Sequence, residues 1–222
     1  ADDWIPIRPG TDGAMALAML NVLLNEKGIY DREFLKKHTN APYLVGEDGH
    51  YLRDISSKKP LVWDAADGKA KPFDADVKDI ALEGSHVIGE VMGTTSFQAL
   101  KEGVKKYTPE NVESITTVPA ETIRRIAVEF GEAARVGAKI TIEGKELPFR
   151  PAAANYLRGA TTRKHGSNVG LTVSLLNLMI GAFHVPGGHM GVNLVGPSGK
   201  WGPRVNRDGL MLPVEIFAHG FN

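Results

Sequence analysis

The chain has 222 residues, with 26 basic and 26 acidic side chains, seven histidines and no cysteine. A hydrophobic fraction of 42% against 23% charged marks a globular chain long enough to bury a sizeable core. Zero formal net charge argues against nucleic acid as the main partner, and the missing thiols exclude disulfides, cysteine-bound zinc and iron–sulfur clusters within this span.

No stretch approaches the roughly 20 apolar residues that cross a bilayer, so no membrane span is expected here. The chain begins at Ala1, inside a stretch that reads as a strand feeding a turn, with no leader-like segment before it. It is therefore expected to be a piece of a longer protein.

Trp4 to Arg8 reads as a strand end bounded by prolines, and Pro9-Gly10-Thr11-Asp12-Gly13 as a tight turn with two N-cap candidates, Thr11 and Asp12. Residues 14–25 are almost wholly apolar, which predicts a helix buried on most sides and stopped by Gly28. Asp31 is placed to cap a short second helix through Lys37. From 40 to 93 turn signals recur between short apolar runs, which predicts a β-hairpin excursion with little core of its own.

Helical pattern returns over 97–106. Thr108-Pro109-Glu110 supplies an N-cap, an N1 proline and a first-turn acid for the next helix. After Pro119, the spacing of Ile123, Ile126, Ala127, Phe130 and Ala134 predicts an amphipathic helix, with Arg124, Arg125 and Glu129 on its solvated side. Residues 138–143 alternate like a strand. A polar, basic stretch over 150–168 precedes a helix over about 169–183, with Leu171, Leu175, Leu178 and Met179 at core spacing. Beyond it the chain is rich in glycine and proline and is expected to pack on something else. Strand, helix, excursion, helices, strand and helix together predict an α/β fold with an incomplete parallel sheet.

Three places can carry chemistry. In Arg8-Pro9-Gly10-Thr11-Asp12-Gly13, backbone N–H groups at a helix start favour an acceptor-rich ligand, and Asp12 can accept two hydrogen bonds from a guanine-like edge. The plainer reading makes Asp12 a helix cap and Arg8 a solvated cation. In Arg163-Lys164-His165-Gly166-Ser167-Asn168, cations and an amide before a helix suit a phosphate or pterin, or else form a basic loop capped by Asn168 or Ser167. His184 and His189 flank Val185-Pro186-Gly187-Gly188 and either share a ligand or are ordinary loop residues. No histidine pair at metal-binding helical spacing, nucleophile elbow, phosphate loop or dinucleotide fingerprint is present.

Read together, four segments resemble the molybdopterin oxidoreductases, the family of dimethyl sulfoxide reductase and formate dehydrogenase catalytic subunits. The first runs from Trp4 through Pro9-Gly10-Thr11-Asp12-Gly13-Ala14 to Tyr30-Asp31-Arg32-Glu33-Phe34-Leu35 and His38-Thr39. The second is Tyr107-Thr108-Pro109-Glu110 with Ile115 to Ile123. The third joins Arg158-Gly159 through His165-Gly166 to Leu175-Leu176-Asn177-Leu178-Met179-Ile180-Gly181, and the fourth is Val185-Pro186-Gly187-Gly188 with Gly191-Val192-Asn193. Their order and spacing follow the family over nearly the whole chain.

The resemblance implies an internal piece of a catalytic subunit that binds two molybdopterin guanine dinucleotides around molybdenum or tungsten, for oxygen-atom or two-electron transfer. It implies that Arg8, Pro9, Gly10, Thr11 and Asp12 hold a guanosine end, with Asp12 reading the base. His165, Gly166 and Asn168, and the loop with Gly187, Gly188 and Asn193, would line the pterin side, His165 being the one catalytic candidate. The metal ligand would lie upstream of this chain, as would any iron–sulfur cluster, and the isolated piece would be inactive.

The expected architecture is a Rossmann-like layered α/β portion over 1–145, with the excursion at 40–93, and part of a neighbouring α/β domain over 146–222. The partners implied are a small-molecule substrate, the rest of the catalytic subunit, and an electron-transfer subunit. A non-redox member of the family, such as a hydratase or hydroxyl transferase, shares these motifs, and a non-catalytic binding or assembly module is the rival from another class. Cytoplasmic and extracytoplasmic locations both fit.

Overall fold

The computed structural model describes residues 3–162 and 164–189, all within the compact unit Ala1–Met190. Asn193 and the rest of the glycine-rich end lie outside the described residues. The class is α/β, as expected. Residues 4–8 form no strand; their one ladder-like bond runs from the Arg8 N–H to the Thr116 carbonyl at 2.8 Å. Pro6 and Pro9 have no N–H to offer, which starves a ladder there.

The organising element is α1 (Asp12–Asn21), which continues as a π-helical turn over Val22–Lys27 and stops at Gly28 in the left-handed region, φ +67°. Its apolar run has no single stripe, so it can only be satisfied by neighbours on several sides. It finds them in α3 (Ser96–Val104), α4 (Pro109–Thr116), α5 (Ala120–Ala133) and α7 (Gly166–Met179). Leu20, Leu23, Leu24, Phe97, Val112, Ile123 and Leu176 close one core around it. One expectation fails on α7: Leu171 is 66% exposed, because the helix packs on α1 through Val169, Leu176 and Met179 instead.

Asp31 caps α2 (Arg32–His38), its carboxylate accepting the Phe34 N–H at 3.0 Å. Arg158–Thr161 forms the single turn α6 before α7. The excursion leaves the helices and returns to the same place. Within it β1 (Leu44–Val45) pairs with β5 (Val91–Thr95), which pairs with β4 (Ser85–Ile88), while β2 (Leu61–Asp64) and β3 (Lys69–Pro72) make a separate hairpin. The register Leu44↔Thr95 and Val45↔Thr94 closes the lobe at its base.

Inside the lobe, fully buried Asp64 accepts hydrogen bonds from Lys71 Nζ at 2.7 Å and from the N–H groups of Ala66, Lys78 and Asp79. A polar hub thus adds to the few buried apolar side chains of the lobe, among them Leu44, Leu61 and Val62. The Lys71 ammonium, followed by these amides, holds the Asp64 carboxyl well below the usual carboxylate range. The strand expected over 138–143 is β6 (Lys139–Ile142), in a hairpin with β7 (Lys145–Pro148). Every strand ladder among the described residues is antiparallel.

Candidate functional site

Two sequence-distant segments come together. The Cβ position of Gly13, one residue into α1, lies 3.4 Å from the Val169 side chain near the start of α7. At the other end the Asp31 N–H bonds the Met179 carbonyl that closes α7. The two helices therefore run in the same direction, and the Asp12 and His165 segments share one end of the helical core.

The ends that meet there differ from those of α2, α3, α4 and α5 and share with the single turn α6 the lack of a side-chain cap. Thr95, Thr108 and Asp31 each accept a first-turn N–H of α3, α4 and α2, and Glu113 accepts the Ala120 N–H that opens α5. The start of α1 has no such cap: Thr11 Oγ1 donates instead to the Arg8 carbonyl at 2.7 Å. The start of α7 has none either, with His165 at its N-cap. Two neighbouring helix starts thus keep their first-turn donors unclaimed by side chains among the described residues. Such ends attract anions and acceptor oxygens through their aligned N–H groups.

Asp12 occupies the first position of α1, half-buried, with no side-chain hydrogen bond among the described residues; Arg8, Pro9 and Gly10 are exposed in the turn before it. The Arg8 guanidinium reaches only the Ser114 carbonyl, at 3.5 Å. His165 is exposed in the left-handed region at φ +69°, and Asn168 is exposed, so neither Ser167 nor Asn168 is the cap. Gly166 is buried between them. A Cβ there would sit 1.7 Å from the Thr161 carbonyl oxygen, so the α6–α7 junction closes only around glycine.

Gly187 and Gly188 are not at this end. They follow α7, whose 14 residues span about 20 Å. A Cβ on Gly188 would lie 2.2 Å from the Ala182 carbonyl, and Gly187 packs on Phe149 and Pro151. The backbones of His184 and His189 pair, and His189 Nδ1 meets Asn155 Oδ1 at 2.9 Å.

What sequence reasoning misses is Arg150. Its guanidinium is buried, donating to the carbonyls of Ile180, Ala138 and Phe149 and to the Asp31 carboxylate, while its own N–H holds the Pro186 carbonyl. One residue ties the end of α7, through its side chain, and the glycine turn, through its backbone N–H, to the cap of α2. Its partners lie up to 119 residues away, so no local pattern announces it.

No protein-family model matches the chain. Among curated proteins it is 35% identical over 216 residues to a sulfite dehydrogenase chain of Allochromatium vinosum, covering 85% of this chain and 22% of that one. It is 34% identical over 145 residues to the alpha chain of the chlorate reductase of Ideonella dechloratans, covering 57% and 16%. To a probable dimethyl sulfoxide reductase chain of Escherichia coli it is 30% identical over 200 residues, covering 90% and 18%. Among solved structures, acetylene hydratase from Pelobacter acetylenicus aligns with a TM-score of 0.43 at 23% identity, covering 83% of this chain and 15% of that one. The chain thus spans about a fifth of the length of the curated relatives it matches.

Proposed function

The chain belongs to the molybdopterin oxidoreductase family of catalytic subunits, and from that premise we propose that it is the part of a molybdenum or tungsten enzyme that positions a molybdopterin guanine dinucleotide. The carrying observation is the pair of side-by-side helix starts with no side-chain caps among the described residues, α1 at Asp12 and α7 at His165. A cofactor with a guanine edge and phosphate oxygens fits that donor set: Asp12 accepts from the base, and the first-turn N–H groups of both helices donate to acceptor oxygens. When bound, such a cofactor supplies the metal at which an oxygen atom or an electron pair is exchanged.

The chain's own residues then bind and orient. Arg8 and Lys164, exposed beside the two starts, add positive charge toward a phosphate. Exposed His165 offers an imidazole for a proton at the same end. Gly187 and Gly188 belong to a second contact beyond the far end of α7; Asn193, which the resemblance assigns to the same contact, lies outside the described residues. In this reading residues 1–145 are the first cofactor-binding portion, 146–222 part of a neighbouring domain, and the metal ligand lies upstream. Relatives whose names mark them as subunits favour an electron-transfer partner in a multisubunit assembly.

Elemental analysis and oxidised-pterin fluorescence of the natively purified full-length protein test the reading. Near-stoichiometric molybdenum or tungsten with guanine dinucleotide is expected, and Asp12→Ala is expected to lower occupancy about tenfold, the loss of a charge-assisted bidentate contact. Repeated absence of metal and pterin from a host that makes the cofactor rejects it in favour of a non-catalytic assembly module.

A further inference from the structure

The lobe carries a cleft that the cofactor reading does not use. It has a volume of about 560 Å³ and opens between the C-terminal turn of α2 and the β2–β3 hairpin. One wall is aromatic: Tyr43 and Phe73 lie with ring centroids 5.4 Å apart, and Phe73 stays 41% exposed although it sits at the end of a strand pairing. Val62, buried to 1%, forms part of the floor. The opposite rim is α2, which presents Lys36, Lys37 and His38 in succession.

Among the described residues no carboxylate lines this space. The acids that answer the two lysines stand outside it: Asp79 meets Lys36 at 3.3 Å, and Glu33 meets Lys37 at 3.0 Å one turn back along the helix. The Lys37 pair is two-thirds exposed on both sides, an arrangement worth a few tenths of a kcal/mol in water, so its ammonium is readily recruited. A half-exposed aromatic wall, a buried aliphatic floor and a cationic rim whose counter-charges, Asp79 and Glu33, stand outside the cleft describe a site for a flat apolar body with a negative end.

We propose that this cleft binds a small aromatic carboxylate, its ring against Tyr43 and Phe73 and its carboxylate on the α2 lysines. The volume lies within the range of small-molecule sites. None of the residues assigned to the cofactor lines it, so the proposal stands apart from the cofactor reading.

Equilibrium dialysis of 2-naphthoate against the full-length protein tests it. Saturable binding with a Kd below about 1 mM is expected, with the neutral analogue 2-naphthalenemethanol about tenfold weaker. Lys37→Gln and Phe73→Ala, both at exposed positions, are each expected to weaken naphthoate about tenfold and to leave metal and pterin content unchanged. The proposal is overturned by an absence of saturable binding, by equal affinity for the neutral analogue, by indifference to both substitutions, or by tighter capture of an acidic peptide than of naphthoate.

Discussion

At the scale of single residues, four positions hold more than their sequence neighbourhood suggests. Arg150 and Asp31 form an ion pair with side chains only 5% and 10% exposed. Arg150→Met leaves the Asp31 carboxylate buried without its partner, and a loss of about 3–5 kcal/mol in a urea titration is expected. Adding Asp31→Leu is expected to recover only the part due to the unpaired buried charge, because it also removes the α2 cap and the Ile180, Ala138 and Phe149 carbonyls still lack the guanidinium. Gly166→Ala forces a methyl into the Thr161 carbonyl, and a loss of at least about 2 kcal/mol is expected in the same titration. His86 lies flat on Trp63, ring centroids 4.2 Å apart, with Nε2 buried and unpartnered. Burial lowers its pKa, so between the folded value and the ordinary value near 6.5 the unfolded chain holds more protons. Stability is expected to fall as pH drops through that window and to be flat above it; His86→Phe should remove the slope, read by Trp63 fluorescence during denaturation.

At the scale of elements, legibility tracks whether a signal is local. The Asp31 and Thr108 caps, the Gly28 stop and the stripe on α5 are readable because cap, stop and stripe lie within a few residues of what they govern. Thr108→Ala is expected to cost about 1 kcal/mol, measurable as a shifted denaturation midpoint, because the Asn111 N–H then loses its acceptor. The lead-in at 4–8 misleads because a strand exists only if a second strand answers it, and Leu171 misleads because helical spacing gives a face without saying which neighbour takes it. β7 escapes notice beside β6: its Lys-Glu-Leu-Pro sequence has no apolar alternation, and a two-residue Glu143-Gly144 turn pairs it all the same. The excursion is visible as hairpins, yet Asp64 at its centre is not, since a buried acid looks in sequence like any surface acid.

At the scale of the whole molecule, the α/β class and the family can be read from motif order, while the placement of the candidate site cannot. Asp12 and His165 each stand out within their own turn; that their helices run side by side depends on packing between α1 and α7. The same placement separates Gly187 and Gly188 from them by the length of α7, which the chain order alone leaves open. It also sets a timetable. During synthesis the first half of the donor set emerges early, but its companion follows only about 150 residues later, some ten seconds or more at ordinary elongation rates. On the proposed cofactor reading, a nascent chain cut short before α7 presents only one of the two helix starts, and loading would follow translation of this segment.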